Sequence, residues 1–292
     1  MAYDTYANIK TEVLARIGID DSDVDDVVDR ALNDVLQEIC QAHNFSWLYA
    51  KSSFITAAAY DTGAATVTEG SATVDGVGAT FTSAMVGRKF FCDDQTYTIS
   101  AVTTSPAMQL TLSTNYAGTT GTNDYIIFQD EYSLASDVED VLSMWQETNP
   151  YKLQKVGIEV MDNYWPQRSS FGYPVKYSIV GYDSSGYLKV ALYPIPNYAK
   201  NIYYRYRKRV TEMSATTDTP IIPLRYRYVL AKGALYIAAK YLDLPDIGGD
   251  YEREYRQGIA QLISADRKID ERLVKGSGAD HELELVVLEN WE

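Results

Sequence analysis

The sequence predicts an α+β protein: a helical-bundle body, an inserted small β barrel or sandwich, a further small antiparallel sheet and an extended C-terminal arm. Three observations point there. Apolar residues between Val24 and Cys40 recur at three-four spacing. From Ala59 to Asp130 the composition turns to Thr, Ser, Gly, Ala and Val in short alternating runs. Past a Gly-Ser hinge the chain closes on "HELELVVLENWE", which alternates like a strand with nothing nearby in sequence to pair with. The matching divisions are residues 1–58 with 131–274 for the body, 59–130 for the module and 275–292 for the arm.

Taken in order, Thr5 to Ile17 reads as a helix with Tyr6, Ile9, Val13, Leu14 and Ile17 near one face. The next is clearer: Val24, Val28, Leu32, Val35, Leu36 and Ile39 make an apolar stripe, and Asp21 or Ser22 can cap it. Asp23, Asp25 and Asp26 suit the positive end of its dipole. The same run places acids at alternate positions as a calcium loop would. Its sixth position is Asp26 where glycine is needed and its twelfth is Leu32 where a bidentate glutamate is needed, so capping explains it better. This helix should end near His43.

Short strands follow in "AATVTEG", "SATVDG", "GRKFFCDD", "QTYTISAVT", "MQLTLST" and "DYIIFQD", spaced as in a compact barrel or sandwich. Beyond Asp130, "VEDVLSMW" and "KLQKVGIEVMDNYW" suggest a strand followed by a short helix. "YPVKYSIVGYDSSGYLKVALYPIP" reads as two strands around a Ser-Ser-Gly turn, and "NIYYRYRKRV" as a third. Two helices then close the body, one carrying Val229 to Leu242 and one from Tyr251 to about Leu273.

Charge restricts the functional classes. The formal net charge is −14 with a pI near 4.6, which disfavours naked nucleic acid or an anionic membrane as the main partner. The apolar runs are too short to span a bilayer, and "MAYDTYANIK" lacks the basic and apolar start of a secretion signal. Cys40 and Cys92 are too few for a disulfide framework. The 25 tyrosines against 7 phenylalanines suggest broad amphipathic surfaces of the kind used between proteins. His43 and His281 lie at opposite ends of the chain, and no metal-ligand spacing, nucleotide fingerprint or Walker lysine occurs. No catalytic residue, metal ligand or cofactor is therefore expected.

The exception to the acidic character is "YYRYRKR". As a strand it sets Tyr204, Tyr206 and Lys208 on one face and Tyr203, Arg205, Arg207 and Arg209 on the other. A phosphate site would need companion cations, and Arg225 and Arg227 are the only nearby candidates. Ion pairing within the protein or with another subunit is the better reading. Residues 1–50 hold ten acids against Lys10, Arg16 and Arg30, half of the whole net charge. Arg205, Arg207 and Arg209 could thus meet Asp23, Asp25 and Asp26 of the next copy head-to-tail, the geometry that closes into rings.

The order of parts carries a resemblance. "NFSWLYAKSSF", "VTEGSATVDGVGATFTSAMVGRKFF", "DEYSLASDVEDV", "GYPVKYSIV", "LYPIPN" and "IPLRYRYVLAKGALYIAAKYL" together resemble tailed-bacteriophage head-to-tail connector proteins, the adaptors beneath the portal. The resemblance implies a virion protein of the head–tail junction, assembled in the host cytoplasm. It implies a ring, commonly of twelve copies, around a channel through which genomic DNA passes without specific binding. The implied partners are the portal and the tail or nozzle proteins, with no membrane. It also implies that the C-terminal segment engages the portal, here through Leu283, Leu285, Val287, Leu288 and Trp291. A tail-tube or receptor-binding component, and more remotely a cell-wall-degrading enzyme, are the alternatives.

Overall fold

The computed structural model describes residues 3–19, 21–147, 152–165 and 170–276. Among the described residues the helices are α1 (Tyr6–Ile17), α2 (Ser22–Ala42), α3 (Ile158–Tyr164), α4 (Arg227–Tyr241) and α5 (Pro245–Gly276). The strands are β1 (Tyr49–Ile55), β2 (Ala64–Val67), β3 (Thr73–Val77), β4 (Lys89–Cys92), β5 (Gln95–Thr103), β6 (Gln109–Leu112) and β7 (Gly121–Asn123). They continue with β8 (Ile126–Phe128), β9 (Glu131–Ser133), β10 (Val138–Gln146), β11 (Lys152–Lys155), β12 (Lys176–Tyr182), β13 (Leu188–Tyr193) and β14 (Asn201–Lys208). The protein is therefore mixed α+β. Its described residues divide between a helical unit within Met1–Tyr49 and Lys208–Glu292 and a β unit within Ala50–Arg207.

In the helical unit local signals set the helix ends and burial holds them. Asp21 caps α2 by accepting a hydrogen bond from the Asp23 N–H at 3.1 Å, and Gly18 ends α1 in the left-handed region at φ 71°. Such a cap is worth about 1 kcal/mol. Val28, Leu32, Val35 and Ile39 are completely buried, and each contributes roughly 1.5–3 kcal/mol relative to exposure, so packing dominates. The core continues through Ile9 and Val13 of α1, Leu230 and Ala234 of α4, and Leu262 of α5. Closest approach occurs at Gly233 of α4, where a Cβ would lie 2.5 Å from Val35 Cγ1 and 2.7 Å from Tyr255 Cε2. Gly258 of α5 similarly makes room for Val229, whose Cγ2 would be 2.8 Å from a Cβ there.

The long last helix begins at Pro245, earlier than the sequence suggests. Proline is well placed in a first turn, where its missing N–H would have no helical partner anyway. Gly248 and Gly249 obscure that start in the sequence, yet both are helical.

The β unit holds two curled sheets. Strands β2 to β8 form one in the order β7-β2-β3-β6-β5-β4-β8, around Val67, Val74, Phe81, Phe90, Ile99, Leu110 and Ile127. The β4–β5 hairpin turns through Asp93 and Asp94, both at positive φ (49° and 57°), as a tight two-residue connection requires. The second sheet has the order β1-β14-β10-β11-β12-β13-β9 and packs Tyr132, Val138, Met144, Tyr177, Val190, Ile202 and Tyr204 inward. The expected small antiparallel sheet is thus corrected: it has seven strands and is mixed, because β12 runs parallel to β11. A parallel neighbour requires a crossover, and α3 lies in that connection.

Candidate interaction surface

β14 presents two chemically different faces. Ile202, Tyr204 and Tyr206 point into the core, at 0%, 1% and 5% exposure. The Tyr206 hydroxyl donates to both Asp137 oxygens, at 3.0 and 2.9 Å, and burial followed by that carboxylate pushes its phenol up to about 12. The Tyr204 hydroxyl accepts from the Ala135 N–H at 3.1 Å. Not all the tyrosines serve the surface: Tyr116, Tyr177 and Tyr204 are among the largest fully buried side chains.

The other face of β14 is polar and partly paired within the chain. Arg207 Nε lies 3.1 Å from Glu139 Oε2 of β10. The Lys51 ammonium of β1 sits 4.5 Å above the Tyr203 ring and 5.4 Å from the Trp145 ring, and those two rings stack at 6.1 Å. Arg205 is exposed between them along the strand. Arg209 is exposed beyond the strand's end and belongs to the helical unit. Two of the three arginines therefore share this face of the β unit, and one of them has an intramolecular acid.

The acidic residues open α2 in the helical unit. Asp23 and Asp26 are exposed. Asp25 is 3.5 Å from Lys10 Nζ, which also binds Asp29 at 2.8 Å. Burial opposes the Lys10 charge, but its bonds to Asp29 and Asp25 hold its pKa above the ordinary lysine value. Leu283, Leu285, Val287, Leu288 and Trp291 lie outside the described residues.

The companion cations that a phosphate site would need are otherwise engaged. The Arg227 guanidinium donates to the carbonyls of Ile222 (2.8 Å), Pro220 (2.9 Å) and Asp4 (2.5 Å), tying the N-terminal segment to the loop before α4. Burial lowers its pKa. Arg225 lies over the Tyr226 ring at 4.5 Å.

His43 has a structural place that sequence alone does not reveal. Asp266 of α5, 1% exposed, accepts from the Ser46 N–H at 3.1 Å and the Ser46 hydroxyl at 2.7 Å. His43 Nε2 stands 3.7 Å from the same carboxylate, and Phe45 stacks on Trp47 at 4.1 Å. Ser46 and Asp266 are 220 residues apart, so no local pattern connects them.

Two clefts remain. One of about 720 Å³ in the helical unit is lined by Glu38, Tyr236, Lys240, Tyr241, Tyr255 and Arg256. A polar one of about 530 Å³ in the β unit is lined by Glu69, Asp93, Gln95, Thr119, Thr120 and Asn123. Asp93 there already accepts from the Tyr116 hydroxyl at 2.6 Å and from Asn123 at 3.0 Å. Among the described residues no group of three or more His, Cys, Asp or Glu is arranged to hold a metal, and Cys40 and Cys92 are buried and not joined by a disulfide. No described helix is long and apolar enough to cross a membrane.

What this arrangement can do is bind: it offers a row of cations and stacked aromatics on one sheet face and an acidic helix start. No curated protein matches the chain. Residues 4–276 match the model of the SU10 adaptor protein family, a family of structural phage adaptors, and the chain belongs to that family.

Proposed function

We propose that the protein forms a ring beneath the portal of a tailed phage, extends the DNA channel and provides the platform on which the tail assembles. The observation that carries this is the family match, which runs from residue 4 to the end of α5. In this reading the helical unit is the bundle body, the sheet of residues 64–128 closes as a small barrel, and the segment after Gly276 is the docking arm. Copies join head-to-tail, Arg205, Arg207 and Arg209 of one facing Asp23, Asp25 and Asp26 of the next.

Electrostatics favours the same reading. Twelve copies at −14 each carry a formal −168. A channel edged by carboxylates repels the DNA backbone and lets it slide, where a basic lining would grip it. Arg227, Lys51 and Arg207 are engaged within the chain by carbonyls, rings and a carboxylate.

The arm supplies the direct test. A chain ending at Gly276 should keep the circular dichroism and melting behaviour of the whole protein, because the described cores lie before that point. Its affinity for purified portal should fall at least about tenfold, a loss of roughly 1.4 kcal/mol. Unchanged portal affinity after this deletion would remove the arm from the interface.

A further inference from the structure

The cleft of about 720 Å³ in the helical unit is large enough to admit a small ligand or a few side chains. Three helices build it. Glu38 comes from the last turns of α2, Tyr236 and Lys240 from one face of α4, and Tyr255 and Ile259 from one face of α5. Ile237, Ile259 and the Tyr236 ring, all half-buried, give it apolar walls.

A polar group at its inner end is unsatisfied. Tyr255 lines the cleft at 2% exposure, and its hydroxyl has no hydrogen-bond partner among the described residues. Buried polar atoms are mostly paired, and an orphan among them lowers stability. Burial, then the Glu38 charge, holds this phenol well above the ordinary tyrosine pKa, so it stays an O–H donor. Glu38 nevertheless does not meet it in hydrogen-bonding geometry. At the mouth, Lys240 is exposed and forms no ion pair among the described residues, whereas Arg256 is bound to Glu252 at 2.7 and 3.0 Å.

These groups select their occupant. A phenylalanine or aliphatic side chain would leave the Tyr255 O–H unpaired. An indole only donates, and a carboxylate driven to the inner end would be repelled by Glu38. A phenol fits all three conditions: its oxygen accepts from Tyr255, its proton goes to Glu38, and its ring lies between Tyr236 and the two isoleucines. Lys240 is then left for an anion just outside. The chain belongs to a family of structural adaptors, whose ligands are other proteins, so a peptide is favoured over a free metabolite. We propose that this cleft is a docking site for a partner protein's tyrosine followed by an acidic residue, the phenol bridging Tyr255 and Glu38 and the carboxylate meeting Lys240. The proposal goes beyond ring formation and does not depend on it, since the cleft is complete within one helical unit.

Calorimetric titration of the full chain with two capped dipeptides, acetyl-Tyr-Asp-amide and acetyl-Phe-Asp-amide, tests it. A site built around a hydroxyl discriminates strongly against the analogue lacking one, so the tyrosine peptide should bind at least about tenfold tighter. Tyr255→Phe keeps the ring that packs beside Gly233 and should melt like the parent, yet bring the two peptides within about twofold of each other. Lys240→Glu should weaken acetyl-Tyr-Asp-amide and favour acetyl-Tyr-Lys-amide instead. Equal affinity of the parent for both Asp peptides would reduce the cleft to an apolar groove and overturn the proposal. So would the absence of saturable binding at millimolar peptide, or a tyrosine preference that survives Tyr255→Phe. Affinity that rises tenfold when the chain is ended at Gly276 would make the chain's own C-terminal segment the occupant, and would overturn it too.

Discussion

Gly233→Leu should abolish the folded helical unit. A Cβ alone at this site would approach Val35 Cγ1 to 2.5 Å and Tyr255 Cε2 and Cδ2 to 2.7 and 2.8 Å. Those neighbours cannot swing away, because Val35 is 0% and Tyr255 2% exposed. Ordinary overpacking costs about 1–3 kcal/mol, and leucine adds three further carbons beyond the clashing one, so the loss should exceed about 4 kcal/mol. That approaches the total stability of a small domain. Gly249→Ala is the matched control: it is exposed on α5, with nothing within 4 Å of its would-be Cβ. It should raise stability by roughly 0.5–1 kcal/mol through helix propensity. Thermal melting by circular dichroism checks both, and a Gly233→Leu protein that melts like the parent would refute the three-helix packing.

Replacing Arg205, Arg207 and Arg209 together by glutamate should prevent ring formation. Each change moves the local charge by two units, so the surface proposed to face Asp23, Asp25 and Asp26 of the next copy would become repulsive. Like charges forced together cost several kcal/mol, which at about 3 kcal/mol is roughly a hundredfold in association. Arg207→Glu also faces Glu139, the acid now 3.1 Å from its guanidinium, and so carries a cost inside one copy. Arg205→Glu alone avoids that complication because Arg205 is exposed. It should weaken assembly with the monomer's melting temperature unchanged. Converting Asp23, Asp25 and Asp26 to lysine in the triple variant should restore association, as seen by analytical ultracentrifugation. Normal assembly of the triple variant would assign this strand to solvated surface.

How far the sequence could be read depended on whether a feature was local. α2 is written in its own spacing, and the structure runs it from Ser22 to Ala42 with Asp21 as cap. Six strands of the sheet at residues 64–128 were visible as alternating runs, but β7, Gly121–Asn123, has no apolar residue to mark it. The alternation of β14 placed Tyr204 and Tyr206 together, and both are buried. Its partner acid Glu139 could not be foreseen, because register between distant strands is a property of the whole sheet. The parallel β11–β12 pair and the Asp266–Ser46 contact escaped for the same reason. Arg225 and Arg227 were plausible phosphate ligands by composition; one lies over a ring and the other is bound to carbonyls. The adaptor identity was legible only in the order of many weak motifs, and the family match over residues 4–276 agrees with it.

The most direct measurement is electron microscopy of the full-length protein mixed with its purified portal. Closed rings seated coaxially on the portal, with an open central channel, are the expected result. Particles in which the portal remains bare while the protein stays monomeric at every concentration would contradict the account.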